Sequence, residues 1–89
     1  MIKLKIFYSH GCPYCPDALE LARRISHLLD IQLEEVDVTN NISTLVEEKI
    51  MGVPTVILYS DGKEVKRYVG LGKIISDLAK DIVRMEDER

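Results

Sequence analysis

The sequence predicts an α/β fold: a four-stranded mixed sheet with helices on both faces, in the order β-α-β-α-β-β-α. Three observations predict it. Apolar and charged residues alternate through Ile2-Lys3-Leu4-Lys5-Ile6, the two-residue period of a strand. A helix-period run and a second strand-like run follow, making a βαβ unit with a right-handed parallel crossover. Asp61-Gly62 then stands between two strand-like segments, a strong hairpin signal, and a last helix-period run comes after them.

In the first strand Ile2, Leu4, Ile6 and Tyr8 share one face, and Lys3, Lys5 and Phe7 the other. Ser9-His10-Gly11 reads as a loop, in which Gly11 lets the chain approach the helix closely. The first helix is expected from about Cys12 or Pro13 to Leu29, with Cys15, Leu19, Ala22, Ile25, Leu28 and Leu29 on its apolar positions. Pro13 and Pro16 suit a first turn, whose N–H groups have no intrahelical partner. Ile31 to Val38 forms the second strand, with Val36 and Val38 facing one way. Asn40 or Asn41 starts the next turn, and a short helix from about Ser43 to Lys49 carries Leu45 and Val46. Pro54 to Tyr59 is the third strand, and Glu64 to Val69 returns antiparallel to it. Gly70-Leu71-Gly72 breaks the chain before a last helix from Lys73 to Met85, which carries Ile74, Ile75, Leu78, Ala79, Ile82 and Val83. Glu86-Asp87-Glu88-Arg89 is expected to fray.

The 89 residues suit one domain spanning 1–89. A 46% hydrophobic and 30% charged composition argues against disorder, and a net charge of -3 with mixed signs carries no nucleic-acid footprint. No apolar run approaches the roughly 18 residues that would cross a membrane. The alternating start, Met1 to Ile6, does not read as a signal peptide, so a cytoplasmic protein is expected. The expected state is a monomer.

Cys12 and Cys15 are the only cysteines, separated by Pro13-Tyr14 and placed between a strand and a helix. They close too small a loop to serve as a structural staple, so a dithiol that cycles during work is the better reading. Free N–H groups and the positive end of a helix dipole stabilise a thiolate, the attacking species in disulfide exchange. Cys12, at the helix mouth, is the expected nucleophile, and Cys15, one turn inside, the expected resolver. Pro13 sets the turn, and Tyr14 lines the entrance or packs over the loop. Val53-Pro54-Thr55 places a proline at the start of a buried strand, where it offers no N–H to the sheet. A cis bond there would present the Val53 backbone to an extended substrate held by main-chain hydrogen bonds. His10 either tunes the Cys12 thiolate as a nearby imidazolium or is a solvated loop residue. Tyr8 reads first as strand core, and Asp37 as a solvated strand-end acid with a proton-relay role as its alternative. Met51 belongs to an apolar rim or to simple packing. A zinc half-site is the competing use of the thiols, but His10 and His27 are the only histidines and tetrahedral zinc takes four ligands.

Phe7-Tyr8-Ser9-His10-Gly11-Cys12-Pro13-Tyr14-Cys15 resembles the glutaredoxin active site, and Gly52-Val53-Pro54-Thr55 with its strand resembles the thioredoxin cis-proline loop. Asp61-Gly62-Lys63 and Tyr68-Val69-Gly70 match the hairpin and glycine that follow. The likeness to the thioredoxin–glutaredoxin superfamily covers about residues 3 to 85, and is greatest to the small archaeal glutaredoxin-like or thioredoxin-like proteins. The resemblance implies a thioredoxin fold, a cis Val53-Pro54 bond, Cys12 as nucleophile and Cys15 as resolver, with Pro13, Tyr14, Val53 and Pro54 at the substrate. No bound cofactor or metal is implied. Electrons would come from a thioredoxin reductase or from glutathione. Gly70-Leu71-Gly72-Lys73 lacks the acid that closes the glutathione site of glutaredoxins, and Val53 replaces their threonine, which favours the thioredoxin-like source for reducing protein disulfides. Glutathione-dependent glutaredoxin chemistry and a metal-binding or non-catalytic interaction module are the alternatives.

Overall fold

Ile2, Leu4 and Ile6 are buried on one face of the first strand and Phe7 on the other, and this alternation decides how the sheet is covered. The structure, a computed structural model, describes residues 1–87. Its elements are β1 (Ile2–Tyr8), α1 (Cys15–Leu29), β2 (Gln32–Asp37), α2 (Ile42–Glu47), β3 (Thr55–Ser60), β4 (Lys63–Val69) and a last helix, α3, over residues 71–87. The strand order is β2-β1-β3-β4, with β1 parallel to β2 and the other two pairings antiparallel. This is the expected mixed sheet. Asp61 and Gly62 both adopt positive φ (53° and 83°), the requirement of the tight hairpin turn that Asp-Gly announces.

The larger core joins Leu4, Ile6, Val56 and Leu58 to Ala18, Ala22 and Ile25 of α1 and to Ile74, Leu78 and Ile82 of α3. The opposite face carries a smaller cluster, Phe7, Val38, Ile50 and Ile57, with Leu45 of α2 packed against it. Helices therefore lie on both faces, α1 and α3 together and α2 alone. The buried line of α1 runs through Cys15, Ala18, Ala22 and Ile25, so Leu28, expected on the apolar stripe, falls off it and is exposed. Val46, Ile75 and Val83 are likewise exposed: each helix packs one side only, and these residues sit beside the buried line.

The last helix starts earlier than expected. Gly70, with φ of +91°, breaks the chain, but Leu71–Lys73 is already helical and Gly72 lies inside it. A π-helical turn, Ile74–Leu78, precedes Ala79–Asp87. Four residues undershoot one π-helical turn and overshoot one α-helical turn, so Ile74, Leu78 and Ile82 align on the sheet. Glu86 and Asp87, expected to fray, continue the helix, and Glu88 and Arg89 lie outside the described residues. Asn41 caps α2, its side-chain oxygen accepting the Thr44 N–H at 3.2 Å.

A polar clasp joins β4 to α3. The buried Tyr68 hydroxyl donates to Asp81 Oδ2 at 2.8 Å, and Lys66 Nζ reaches the same oxygen at 2.9 Å. Burial first, and the Asp81 carboxylate second, push the Tyr68 hydroxyl well above its ordinary pKa. Tyr68→Phe removes one of the two donors to Asp81 and is expected to cost about 1.5 kcal/mol, read by denaturant unfolding. An unchanged midpoint would show that Lys66 alone satisfies Asp81.

Surface carboxylates are held low by their partners. Hydrogen bonds from Lys3, Arg23 and Arg67 lower Glu34, Glu35 and Glu64 respectively, and Thr39 lowers Asp37. A carboxyl depressed on folding binds fewer protons folded than unfolded. Its stabilisation is present above the unfolded pKa and is lost as pH falls through the folded value. Melting temperature is therefore expected to fall as pH drops below about 4, and to be flat just above that range. Thermal scans across this range check it.

Candidate active site

The loop after β1 is fastened to the end of β2 by two hydrogen bonds, and a third braces the residues that receive it. The His10 N–H donates to Thr39 Oγ1 at 2.7 Å, His10 Nε2 meets Asp37 Oδ2 at 2.9 Å, and the Thr39 N–H donates to Asp37 Oδ1 at 2.9 Å. Parallel pairing makes this possible, because the register sets Tyr8 opposite Asp37. Gly11 follows with φ of +84°, a conformation that disfavours other residues. A Cβ there would meet nothing within 4 Å, so backbone conformation, not the expected close approach, is what calls for glycine.

Cys12 and Cys15 are joined in a disulfide, with Cα atoms 5.4 Å apart. Cys12 and Pro13, at one or other of which the helix was expected to start, both lie outside it. Tyr14 is the N-cap and Cys15 the first helical residue, so Cys15 opens the helix rather than lying one turn inside. The reason is Pro16, which lacks the N–H that would close an α-helical bond onto the Cys12 carbonyl. That carbonyl instead takes the Cys15 N–H at 3.3 Å, and a helical bond forms from Ala18 to Tyr14 at 3.1 Å.

The two sulfurs differ in access. Cys15 is 2% exposed, whereas Cys12 is half-buried and Pro13 and Tyr14 are exposed. Cys12 Sγ lies 3.9 Å from the Val53 carbonyl oxygen. The Val53-Pro54 bond is cis, as the resemblance implied. The loop is tied on both sides: Thr55 Oγ1 donates to the Gly52 carbonyl at 2.6 Å, and the Gly70 N–H to the Pro54 carbonyl at 2.8 Å. Cys12, Pro13, Tyr14, Val53 and Pro54 are thus the residues at and around this contact.

Two hollows flank it. A cleft of about 510 Å³ is lined by Tyr8, His10, Cys12, Cys15, Glu20 and Arg23, among others. Another of about 340 Å³ is lined by Val38, Leu45, Ile50, Met51 and Val53 with polar residues at its edge. Tyr8, read first as strand core, is half-buried and forms cleft wall. Met51 is 91% exposed beside Val53, so it belongs to the rim and not to the packing. Thr39 and Arg23 were not singled out by the sequence, although both shape the site. Arg23 grips Glu35 with two hydrogen bonds (2.6 and 2.7 Å). Hydrogen bonds from Thr39, with His10 adding less, hold the Asp37 carboxyl below the usual range. His27 sits in the last turn of α1. Among the described residues no three His, Cys, Asp or Glu side chains group as metal ligands.

A family model described as thioredoxin matches residues 3–84. The chain belongs to the thioredoxin family. It is similar to a thioredoxin of Methanocaldococcus jannaschii, 29% identical over 62 residues that cover 67% of this chain and 73% of that one. A thioredoxin of Acetoanaerobium sticklandii is 29% identical over 63 residues, 66% of this chain and 58% of the relative. Among solved structures, thioredoxin 1 of Thermosipho africanus superposes with a TM-score of 0.85 at 29% identity, covering 96% of this chain and 94% of that one. The fold is the thioredoxin fold, and family and Cys12–Cys15 disulfide together make the chain a thiol–disulfide oxidoreductase. Among the described residues no helix is long and apolar enough to cross a membrane.

Proposed function

We propose that the chain reduces disulfides in other proteins, with Cys12 attacking and Cys15 resolving, and that a thioredoxin reductase returns the electrons. One observation carries the order of attack: Cys12 is reachable and Cys15 is 2% exposed. The Cys12 thiolate attacks one sulfur of the substrate disulfide, that disulfide breaks, and its other sulfur leaves as a thiolate. Cys15 then attacks Cys12, the mixed disulfide breaks, and the second substrate sulfur leaves. The substrate gains two electrons and the dithiol becomes the Cys12–Cys15 disulfide.

Pro13, Tyr14, Val53 and Pro54 contact the substrate in this reading. The Val53 carbonyl beside Cys12 Sγ gives an extended peptide a main-chain partner next to the reacting sulfur. Main-chain recognition accepts varied sequences, and exposed Tyr14 and Met51 add apolar surface at the rim. His10 tunes the site from the cleft wall. Contact of this kind is transient, in keeping with a single-domain monomer working in the cytoplasm without a bound cofactor.

The test compares electron sources. Protein-disulfide turnover is followed with NADPH and thioredoxin reductase, and separately with NADPH, glutathione and glutathione reductase. Turnover with the thioredoxin reductase is the expected result. Turnover with glutathione alone would make the chain functionally a glutaredoxin and overturn the proposed source.

A further inference from the structure

The second chemical step has an unmet requirement. Cys15 must lose a proton before its sulfur attacks, yet it is 2% exposed, and burial disfavours a thiolate. Cys15 lines the cleft of about 510 Å³ together with Cys12 and His10. The other ionisable groups of that cleft are poorly suited to take the proton. Tyr8, from β1, is a phenol, which holds its own proton at neutral pH. Arg23, from α1, is a cation engaged by Glu35 of β2. Glu20, also from α1, is a carboxylate bonded to Arg24 at 3.1 Å, and a solvated carboxylate is a far weaker base than an imidazole.

His10 is different. Its Nε2 is 2.9 Å from Asp37 Oδ2, and a carboxylate only accepts, so Nε2 carries the hydrogen. In the neutral ring this leaves Nδ1 as the unprotonated nitrogen, which no described residue bonds. Asp37 is itself held by the Thr39 N–H, so the orienting group is oriented in turn.

We propose that His10, oriented by Asp37, is the general base that takes the Cys15 proton during resolution of the mixed disulfide. The inference rests on the assignment of Cys12 as nucleophile and Cys15 as resolver. The proton passes from Cys15 Sγ through solvent in the cleft to Nδ1, giving an imidazolium paired with Asp37. The electron pair left on Cys15 forms the bond to Cys12 Sγ. The bond from Cys12 to the substrate sulfur breaks, and the departing thiolate receives a proton from the imidazolium or from water.

The experiment uses the reduced protein and Ellman's disulfide, which releases one coloured thiolate at each step. The first release is bimolecular and reports attack by Cys12. The second is unimolecular and reports resolution by Cys15. Its leaving group needs no proton, so deprotonation of Cys15 is exposed in the rate. His10→Gln removes the base but keeps the backbone N–H that anchors the loop to Thr39. The expected result is a second phase slowed on the order of tenfold or more, below the roughly hundredfold usual for general-base catalysis because the His10 side chain is 72% exposed. In the unsubstituted protein that phase should carry a pH dependence that His10→Gln removes, while the first phase keeps its own. An unchanged second phase, or equal slowing of both phases, would overturn the inference, since a shared electrostatic influence accounts for the latter. Cys15→Ser is the separate control: a second release persisting there would refute the assignment of the resolver, not the role of His10.

Discussion

Replacing Cys12 by serine is expected to abolish protein-disulfide turnover, by at least about a thousandfold, while Cys15→Ser stops it one step later. A serine hydroxyl stays protonated at neutral pH and does not displace a sulfur, so the first bond never forms in the former. In the latter the half-buried Cys12 still attacks, but the position that should resolve the intermediate carries no thiol. Mixed disulfide should then accumulate to one substrate per protein, visible as an intact-mass adduct that a reductant removes. The asymmetry follows from burial. A thiol that is 2% exposed cannot meet a folded substrate, yet its Cα is 5.4 Å from that of Cys12, well placed for the intramolecular step. If instead Cys12→Ser formed the adduct, the access argument would be wrong. If Cys15→Ser kept turning over with glutathione present, an external thiol would be replacing Cys15 and the one-thiol route would hold.

The parts of this site that were legible in the sequence are those specified by local chemistry. Two cysteines with a Pro-Tyr spacer between a strand and a helix announce themselves, as do Val53-Pro54 before an apolar run and Asp61-Gly62 between strands. The start of α1 was misplaced because helical periodicity does not reveal which carbonyl lacks a donor; the missing N–H of Pro16 decides that. Leu28, Val46, Ile75 and Val83 are apolar and helical but exposed, since periodicity gives a face and only packing gives its width. His10 and Asp37 were each visible as candidates, one for tuning and one for a proton relay. Their pairing was not, because it depends on the register that sets Tyr8 opposite Asp37, and register is a property of two strands together. Thr39, which holds both, gave no signal of its own for the same reason.

The largest stability effect is expected at the centre of the sheet, where Leu58→Ala should cost about 3 kcal/mol. Leu58 is fully buried on β3, opposite Leu4 in the register, and faces the core shared by α1 and α3. Truncation leaves a cavity that a central strand, paired on both edges, cannot close by moving. A chain of this length has roughly 5–13 kcal/mol to lose, so the melting temperature should fall by roughly 12–24 °C. Val46→Ala, at a residue 70% exposed on α2, is the matched control and should change stability by less than about 0.5 kcal/mol. The comparison also separates fold from site. β3 begins at Thr55, directly after Pro54, while its partner β1 leads into the loop that carries His10 and Cys12. Sheet and site share a backbone, but Leu58 points to the larger core and the disulfide loop is fastened separately, through Asp37 at the end of β2 and Thr39 just beyond it. Turnover of Leu58→Ala measured well below its melting point should therefore stay near that of the unsubstituted protein. A large loss of turnover in the still-folded variant would show that the geometry at Cys12 is set by packing of the α1–α3 core, and that the fastening to β2 is not sufficient to hold it.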